Sequence, residues 1–256
     1  MLLKASIPFF LFSLILLIGC VSNYEPSNET QAVEQVVDPA HHTMETNTIQ
    51  STLASFEKDF SSIPSERKEL LSQISEYVFS KVSQGDTAKL TFICTHNSRR
   101  SHLSQIWAQT AAAHYGIDKV ETFSGGTEAT AFNPRAVRAL KRDGFPILEG
   151  DGDNPVYEVQ FADNKLPLKC FSKKYDDAFN PQNGFCAVMT CSSADEACPI
   201  VFGAEQRVST PYIDPKISDD TPQEDSTYTA RSHEIGTELT WAMHEARKKL
   251  DQISGE

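Results

Sequence analysis

The chain has 256 residues, of which 39% are hydrophobic and 23% are charged. This composition is ordinary for a soluble protein and provides apolar material for one domain of usual size with appendages. The formal net charge is −12 and the sequence has no long run of lysine or arginine, so we expect no nucleic-acid partner.

The N-terminus has the pattern of a bacterial lipoprotein signal. Lys4 gives a short positive region, residues 7–18 are almost entirely apolar, and the sequence LIGC that ends at Cys20 resembles a lipobox. The apolar run is too short for an ordinary transmembrane helix. We expect residues 1–20 to be a signal peptide and Cys20 to be lipidated. The protein would then be anchored to a bacterial membrane outside the cytoplasm, in the periplasm or at the cell surface. An ordinary signal peptide or an uncleaved anchor is the alternative.

The composition changes twice after the signal. Residues 21–51 are rich in Asn, Glu, Thr, Gln and Ser, which is typical of a flexible tether. Residues 52–86 show two stretches of helical periodicity, separated at Pro64 and ended by Gly85. We expect a helical hairpin there, packed against a catalytic domain at residues 87–256.

In the catalytic domain, predicted strands alternate with predicted helices. We predict strands at residues 90–94, 120–123, 156–160 and 187–191, and helices at residues 103–114, 135–143 and 228–251. This alternation indicates an α/β fold with a small parallel sheet flanked by helices. Because such folds bind ligands at the carboxyl ends of their strands, Cys94, Ser124 and Cys191 are candidate site residues.

The sequence LTFICTHNSRRS, at residues 90–101, carries the strongest functional signal. A predicted strand ends at Cys94, and a helix follows at once with Arg100 and Ser101. The unpaired N–H groups and the dipole of that helix favour an anion, and the guanidinium of Arg100 can bind two of its oxygens. The same field favours a thiolate, so we predict that Cys94 is a nucleophile at neutral pH.

The whole loop after Cys94 is a candidate oxyanion site. Its predicted oxyanion-binding residues are Thr95, His96, Asn97, Ser98, Arg99, Arg100 and Ser101. Asn97 tolerates the left-handed backbone that a tightly wrapped loop needs. A buried cysteine that merely ends a strand is the alternative.

A thiolate that attacks phosphate or arsenate needs a proton donor for the leaving oxygen. Asp214 in the sequence TPYIDPK is the leading candidate, because Pro215 stiffens the backbone beside it. An isolated Asp-Pro pair is more often a turn.

The order of these motifs resembles that of the low-molecular-weight protein tyrosine phosphatases. Cys-x5-Arg-Ser at residues 94–101 opens the domain, SGGT at residues 124–127 follows the second strand, and Asp-Pro lies near the end. The similarity extends from about residue 90 to residue 250, and the thioredoxin-coupled arsenate reductases share the fold. It implies the following roles: Cys94 as nucleophile, Arg100 as oxyanion clamp, Ser101 as hydrogen-bond donor to the thiolate, Asn97 as brace of the loop and Asp214 as acid.

Two further cysteines resemble the redox pair of the arsenate reductases. Cys191 follows a predicted strand, and Cys198 lies seven residues on in CSSADEACP. The resemblance implies that Cys191 attacks Cys94 and releases arsenite, and that Cys198 then attacks Cys191. The Ser, Ala and Asp residues between them indicate a mobile loop, as thiol–disulfide exchange requires.

Other roles for this cysteine pair remain open. A structural disulfide is natural outside the cytoplasm. A zinc site is not expected, because Cys170 and Cys186 lack paired metal-ligand spacing.

The sequence departs from the family pattern in several places. His96 lies where the family commonly has glycine, and Arg99 adds a second positive side chain beside Arg100. The distance from Thr127 to Asp214 indicates an insertion around residues 148–182. The predicted location outside the cytoplasm also differs from that of the arsenate reductases, which work beside thioredoxin.

These observations predict an arsenate reductase-like enzyme that uses Cys94, Cys191 and Cys198 in sequence. It would bind no cofactor or metal and would need an external thioredoxin-like dithiol reductant. The first alternative is a low-molecular-weight protein tyrosine phosphatase that hydrolyses phosphate monoesters through a phosphocysteine at Cys94. The second is a lipoprotein that binds oxyanions without catalysis.

Overall fold

The computed structural model describes residues 48–255. The predicted signal peptide, the lipidation site Cys20 and most of the predicted tether lie outside the described residues. Within the described part of the chain, no helix is long and apolar enough to cross a membrane.

The described residues form six α-helices and seven strands. The helices are α1 (Ile49–Lys58), α2 (Ser65–Ser83), α3 (Arg100–His114), α4 (Pro134–Arg142), α5 (Ser192–Ala197) and α6 (Glu224–Ser254). The strands are β1 (Ala88–Cys94), β2 (Val120–Gly126), β3 (Ile147–Glu149), β4 (Tyr157–Val159), β5 (Leu168–Cys170), β6 (Phe185–Met189) and β7 (Ala204–Ser209). Short 3-10 turns occur at Phe60–Ser62 and Pro215–Ser218.

Four strands form a parallel sheet with the order β2-β1-β6-β7, flanked by helices, which confirms the predicted α/β fold. β1 lies inside the sheet and is almost entirely buried, as parallel strands covered on both faces are. In its register, Cys94 lies opposite Gly126 of β2, and Ile93 lies opposite Met189 of β6. The carboxyl ends of these three strands therefore meet at one edge of the sheet.

The strand predicted at residues 156–160 exists as β4, but it belongs to a second sheet. This sheet is antiparallel with the order β3-β4-β5, and it lies within the predicted insertion at residues 148–182. The connections between its strands are too short for the crossover that parallel pairing needs.

The two N-terminal helices share the hydrophobic core of the sheet. Both α1 and α2 pack against α6, and their buried residues belong to the same apolar cluster as those of β1 and α3. α1 begins at Ile49, within the segment predicted as tether, because Thr48 and Ser51 form a capping box there.

Phe56 connects α1 to the core. Its ring packs edge-on against Trp107 of α3, with ring centroids 4.9 Å apart. The Trp107 indole N–H donates to Ser232 Oγ of α6 at 2.9 Å. A Cβ at Gly236 of α6 would lie 2.3 Å from the Phe56 ring, so α1 can approach α6 this closely only because that residue is glycine.

Candidate active site

The loop between β1 and α3 wraps around the sulfur of Cys94. α3 begins at Arg100, earlier than predicted, and its first hydrogen bond runs from the Leu103 N–H to the Arg99 C=O. The N–H groups before Leu103 therefore have no carbonyl of the helix as acceptor. Asn97 has φ 44°, the left-handed conformation that its residue type tolerates.

Ser101 and Asn97 form a chain of contacts to the sulfur. Cys94 Sγ lies 3.1 Å from Ser101 Oγ, and Asn97 Nδ2 donates to that same oxygen at 2.9 Å. Asn97 Oδ1 accepts the Lys173 N–H at 2.9 Å. Because Asn97 donates to the hydroxyl oxygen and does not accept from it, the Ser101 O–H remains available for donation to the sulfur, and a thiolate makes that hydrogen bond stronger.

The second glycine of the Gly-Gly motif, Gly126, is the last residue of β2 and contacts the loop. A Cβ at Gly126 would lie 2.2 Å from the Glu128 carbonyl oxygen and 2.7 Å from both Asn97 N and Thr95 O. The loop therefore lies directly against the end of β2, which only glycine permits. The Thr127 N–H donates to the Cys94 carbonyl at 3.2 Å and fastens the two chain segments together.

Arg100 and Asp214 form an ion pair in the site. Arg100 NH2 donates to Asp214 Oδ2 at 2.7 Å, and NH1 donates to the Tyr212 carbonyl at 3.0 Å. Arg100 Nε is buried and has no hydrogen-bond partner among the described residues. These contacts engage two of the five N–H donors of the guanidinium, so Nε and others remain for an oxyanion, and one more becomes free if the ion pair opens.

Asp214 is fixed by its own backbone turn. Its Oδ1 accepts the Lys216 N–H at 3.1 Å and caps the turn Pro215–Ser218. The structure therefore brings Asp214, the predicted acid, into contact with Arg100, the predicted oxyanion clamp, although the two lie 114 residues apart in the chain.

The side chain of Arg99 is engaged outside the loop. Its Nε donates to the Tyr228 hydroxyl at 2.7 Å, and its NH2 donates to Asp219 at 3.3 Å. Tyr228 donates in turn to Asp219 Oδ1 at 2.7 Å. Arg99 Nε also lies 3.9 Å from Asp214 Oδ1, so this second cation lies beside the acid and has two other partners.

The side chain of His96 lies at the surface of the loop. Its side chain is about half exposed and lies 3.6 Å from Glu128. Its carbonyl oxygen accepts the hydroxyl groups of Ser172 at 3.0 Å and Thr130 at 3.2 Å. Of the remaining loop residues, Ser98 is buried and its carbonyl accepts the Asn133 N–H at 2.8 Å.

Cys191 lies beside the loop of Cys94. Its Sγ is 3.4 Å from the hydroxyl of Thr95, the residue that follows Cys94, and it accepts the Ala194 N–H at 3.4 Å. Cys94 and Cys191 belong to one buried cluster, and Cys198 packs against that cluster. The structure thus brings into one cluster the three cysteines that the sequence analysis predicted to act together.

The residues between Cys191 and Cys198 form the short helix α5, so the expectation of a mobile loop is wrong. Cys191 caps its start and Cys198 caps its end, and both are free thiols. Cys191 and Cys198 are seven positions apart, which corresponds to about 10 Å along a helix, whereas a disulfide needs Cα atoms within about 7 Å. Burial raises the pKa of the Cys198 thiol, and the nearby charge of Arg207 opposes that rise.

The other two described cysteines lie in the core. Burial raises the pKa values of Cys170 and Cys186 to about 12, so both remain thiols. Among residues 48–255, no group of three or more His, Cys, Asp or Glu side chains could hold a metal ion.

The sequence matches known proteins over the region that contains this site. Residues 89–164 match the family described as low molecular weight phosphotyrosine protein phosphatase. An arsenate reductase of Brevibacillus brevis is 32% identical over 124 residues, which cover 48% of this chain and 74% of that protein. An arsenate reductase of Halalkalibacterium halodurans is 29% identical over 134 residues, which cover 52% of this chain and 78% of that protein. A solved structure of a low molecular weight protein tyrosine phosphatase from T. tengcongensis has a TM-score of 0.41 at 16% identity and covers 65% of this chain and 99% of that chain.

Proposed function

Because the chain belongs to the low-molecular-weight phosphotyrosine protein phosphatase superfamily, we propose that it reduces arsenate through a covalent adduct on Cys94. Cys191 and Cys198 then complete a disulfide relay. The contact of 3.4 Å between Cys191 Sγ and Thr95 Oγ1 carries this proposal, because it places a second thiol against the loop of the nucleophile. A phosphatase needs no such thiol.

The first step is the formation of the adduct. Arsenate enters the loop, where the N–H groups before α3 and the guanidinium of Arg100 bind its oxygens. The Cys94 thiolate, which accepts the Ser101 hydroxyl, bonds to arsenic, and one oxygen leaves with the proton of Asp214. Arg100 must give up its ion pair with Asp214 before the carboxyl group can act as an acid.

The next two steps are thiol–disulfide chemistry. The Cys191 thiolate attacks Cys94 Sγ, and the electron pair of the sulfur–arsenic bond moves to arsenic, which leaves as arsenite. Cys198 then attacks Cys191 Sγ, the Cys94–Cys191 bond breaks, and Cys94 leaves as a thiolate. An external thioredoxin-like dithiol reduces the Cys191–Cys198 disulfide. No bound metal or cofactor takes part.

The dimensions of α5 add a requirement to the last step. Cys198 reaches Cys191 only if this six-residue helix unwinds, because the two cysteines that flank it lie about 10 Å apart along the axis. A static structural disulfide between these residues does not fit the helical arrangement.

The second candidate function is a phosphatase that acts on phosphate monoesters. The pairing of Arg100 with Asp214 favours it, since nucleophile, clamp and acid are then complete without the other cysteines. The third candidate is an oxyanion-binding lipoprotein without turnover.

One set of assays separates the three candidates. The purified protein is given arsenate with a thioredoxin system, and separately an aryl phosphate. The proposal predicts arsenite production that is lost in Cys198→Ser, while hydrolysis of the aryl phosphate changes little. Hydrolysis that needs Cys94 and Asp214, with no arsenite, would favour the phosphatase. Binding of arsenate without either product would favour the third candidate.

We further propose that Cys20 is lipidated and that the catalytic domain works on a membrane surface outside the cytoplasm. The lipobox-like sequence that ends at Cys20 supports this location. Its test is membrane fractionation of the full chain and of Cys20→Ala. Membrane association that is lost in the variant would support the anchor, and unchanged association would contradict it.

A further inference from the structure

Three side chains tie α5 to the edge strand β7. Arg207 NH2 donates to Asp195 Oδ1 at 2.5 Å, and Ser209 Oγ donates to Asp195 Oδ2 at 2.8 Å. Arg207 and Ser209 are two residues apart on β7 and therefore face the same side of the sheet. Asp195 lies in the middle of α5, between the two cysteines of the relay.

Arg207 also binds the backbone at the end of α5. Its NH2 donates to the Asp195 carbonyl at 2.8 Å, and its Nε donates to the Cys198 carbonyl at 3.2 Å. The last carbonyl groups of a helix have no N–H partner within the helix. Arg207 supplies the donors that these carbonyls lack. A helix of six residues is unstable by itself and depends on such contacts.

These contacts belong to the dithiol form of the pair. They need α5 to be helical, whereas the Cys191–Cys198 disulfide needs α5 to unwind. Unwinding moves both the Asp195 and the Cys198 carbonyls, so the bonds from Arg207 cannot all persist in the disulfide form. The contacts therefore stabilise one redox state over the other.

We propose that Arg207, together with Asp195 and Ser209, is a positioning group that sets the reduction potential of the Cys191–Cys198 pair by holding α5 in its helical, dithiol form. This inference rests on the proposed relay and names the residues that control its last step. It assigns no contact with arsenate to Arg207.

Arg207 acts on both the thiol of Cys198 and the helix α5. Burial raises the pKa of the Cys198 thiol, and the charge of Arg207 opposes that rise. Removal of Arg207 would therefore lower the thiolate fraction of Cys198. The same removal would make it easier for α5 to unwind. These two effects oppose each other in a rate. In the equilibrium between dithiol and disulfide they act in the same direction, because a cation that favours the Cys198 thiolate also favours the dithiol form. Ser209→Ala removes one contact with Asp195 without changing any charge and so tests the helix contacts alone.

The test is redox titration of the full-length chain against mixtures of reduced and oxidised dithiothreitol. Differential alkylation and mass spectrometry report the state of Cys191 and Cys198 directly. Variants Arg207→Gln and Ser209→Ala are compared with the wild type. Arg138→Gln is the matched control, because Arg138 forms its ion pair with Glu224 away from α5.

We expect Arg207→Gln to shift the equilibrium about tenfold toward the disulfide, which corresponds to a potential about 30 mV more negative. Ser209→Ala shifts it in the same direction by less, and Arg138→Gln leaves it unchanged. An unshifted or more positive potential in both β7 variants would overturn the inference. If Arg207→Gln fails to fold, Ser209→Ala alone decides.

The two proposals fail in different ways. A wild-type protein that makes no arsenite would overturn the proposed reductase, whatever the titration shows. Arsenite production by the wild type, with β7 variants that titrate like the wild type, would overturn only the role of Arg207.

Discussion

Ser101 Oγ lies 3.1 Å from Cys94 Sγ, and Asn97 Nδ2 donates to that same oxygen. The hydroxyl is held in the first turn of α3, where its O–H can be donated to the sulfur without loss of the Asn97 contact. Hydrogen bonds to a charged partner contribute about 1.5–3 kcal/mol. Removal of the Ser101 hydroxyl should therefore change the reactivity of Cys94 by a measurable amount.

We predict that Ser101→Ala slows alkylation of Cys94 by iodoacetamide at neutral pH at least about tenfold, since a hydrogen bond of about 1.5 kcal/mol or more to the charged sulfur is lost. The rate is followed by mass spectrometry of the Cys94 peptide. Ser104→Ala is the matched control, because that hydroxyl lies one turn further along α3 and donates to the Arg100 carbonyl. Equal alkylation rates in both variants would show that Ser101 does not support the thiolate.

Asp214→Asn tests the assignment of the acid. A general acid matters most when the leaving group is strongly basic, and its removal costs about 10²–10⁴ in rate. We therefore expect hydrolysis of phenyl phosphate to fall at least about tenfold more than hydrolysis of 4-nitrophenyl phosphate.

The control for that experiment is Asp220→Asn, whose side chain is 87% exposed and pairs with Arg135. It should leave both rates unchanged. Equal losses for the two esters in Asp214→Asn would assign Asp214 a role in holding Arg100 instead.

Lys173 predicts a specific dependence of stability on pH. Its side chain is buried beside the rings of Phe171 and Phe179, and burial lowers its pKa from 10.5 to about 8. Below pH 8 the amine is charged in both the folded and the unfolded state, so the cost of burying the charge is fully present. Between pH 8 and 10.5 the folded state releases the proton and the unfolded state keeps it, so stability rises with pH.

From pH 7.5 to pH 9.5 this group should add about 2 kcal/mol to the free energy of unfolding of the wild type relative to Lys173→Met. Urea unfolding of both proteins at the two pH values measures this difference. The Lys173 N–H that binds Asn97 belongs to the backbone and is retained in the variant. An identical pH dependence in the two proteins would refute the pKa assigned to Lys173.

The sequence predicted those features that depend on short-range pattern. Cys94, Arg100 and Ser101 form a contiguous motif, and the buried run of β1 identified the strand before it. Asn97 was expected to take a left-handed conformation, and it does. The Gly-Gly pair was a motif match, and the structure supplies the reason for its second glycine in the contact of Gly126 with the loop.

The features that could not be predicted depend on distant segments. β7 has the polar sequence AEQRVS and is only partly buried as an edge strand, so it lacks the apolar run that marks β1 and β6. α5 is shorter than two turns, and its stability comes from Arg207 on that unpredicted strand. The engagement of Arg99 by Tyr228 and Asp219 likewise joins residues more than 100 positions apart.

The central claim is that Cys94 bonds to arsenate and that Cys191 and Cys198 carry away the oxidising equivalents. A single turnover with equimolar arsenate and no external dithiol tests it most directly, with arsenite and free thiols counted together. The account predicts one arsenite and two lost thiols per chain, a disulfide mapped to Cys191 and Cys198, and neither product in Cys94→Ser. Arsenate recovered unchanged from wild-type protein with all of its thiols intact would contradict the account.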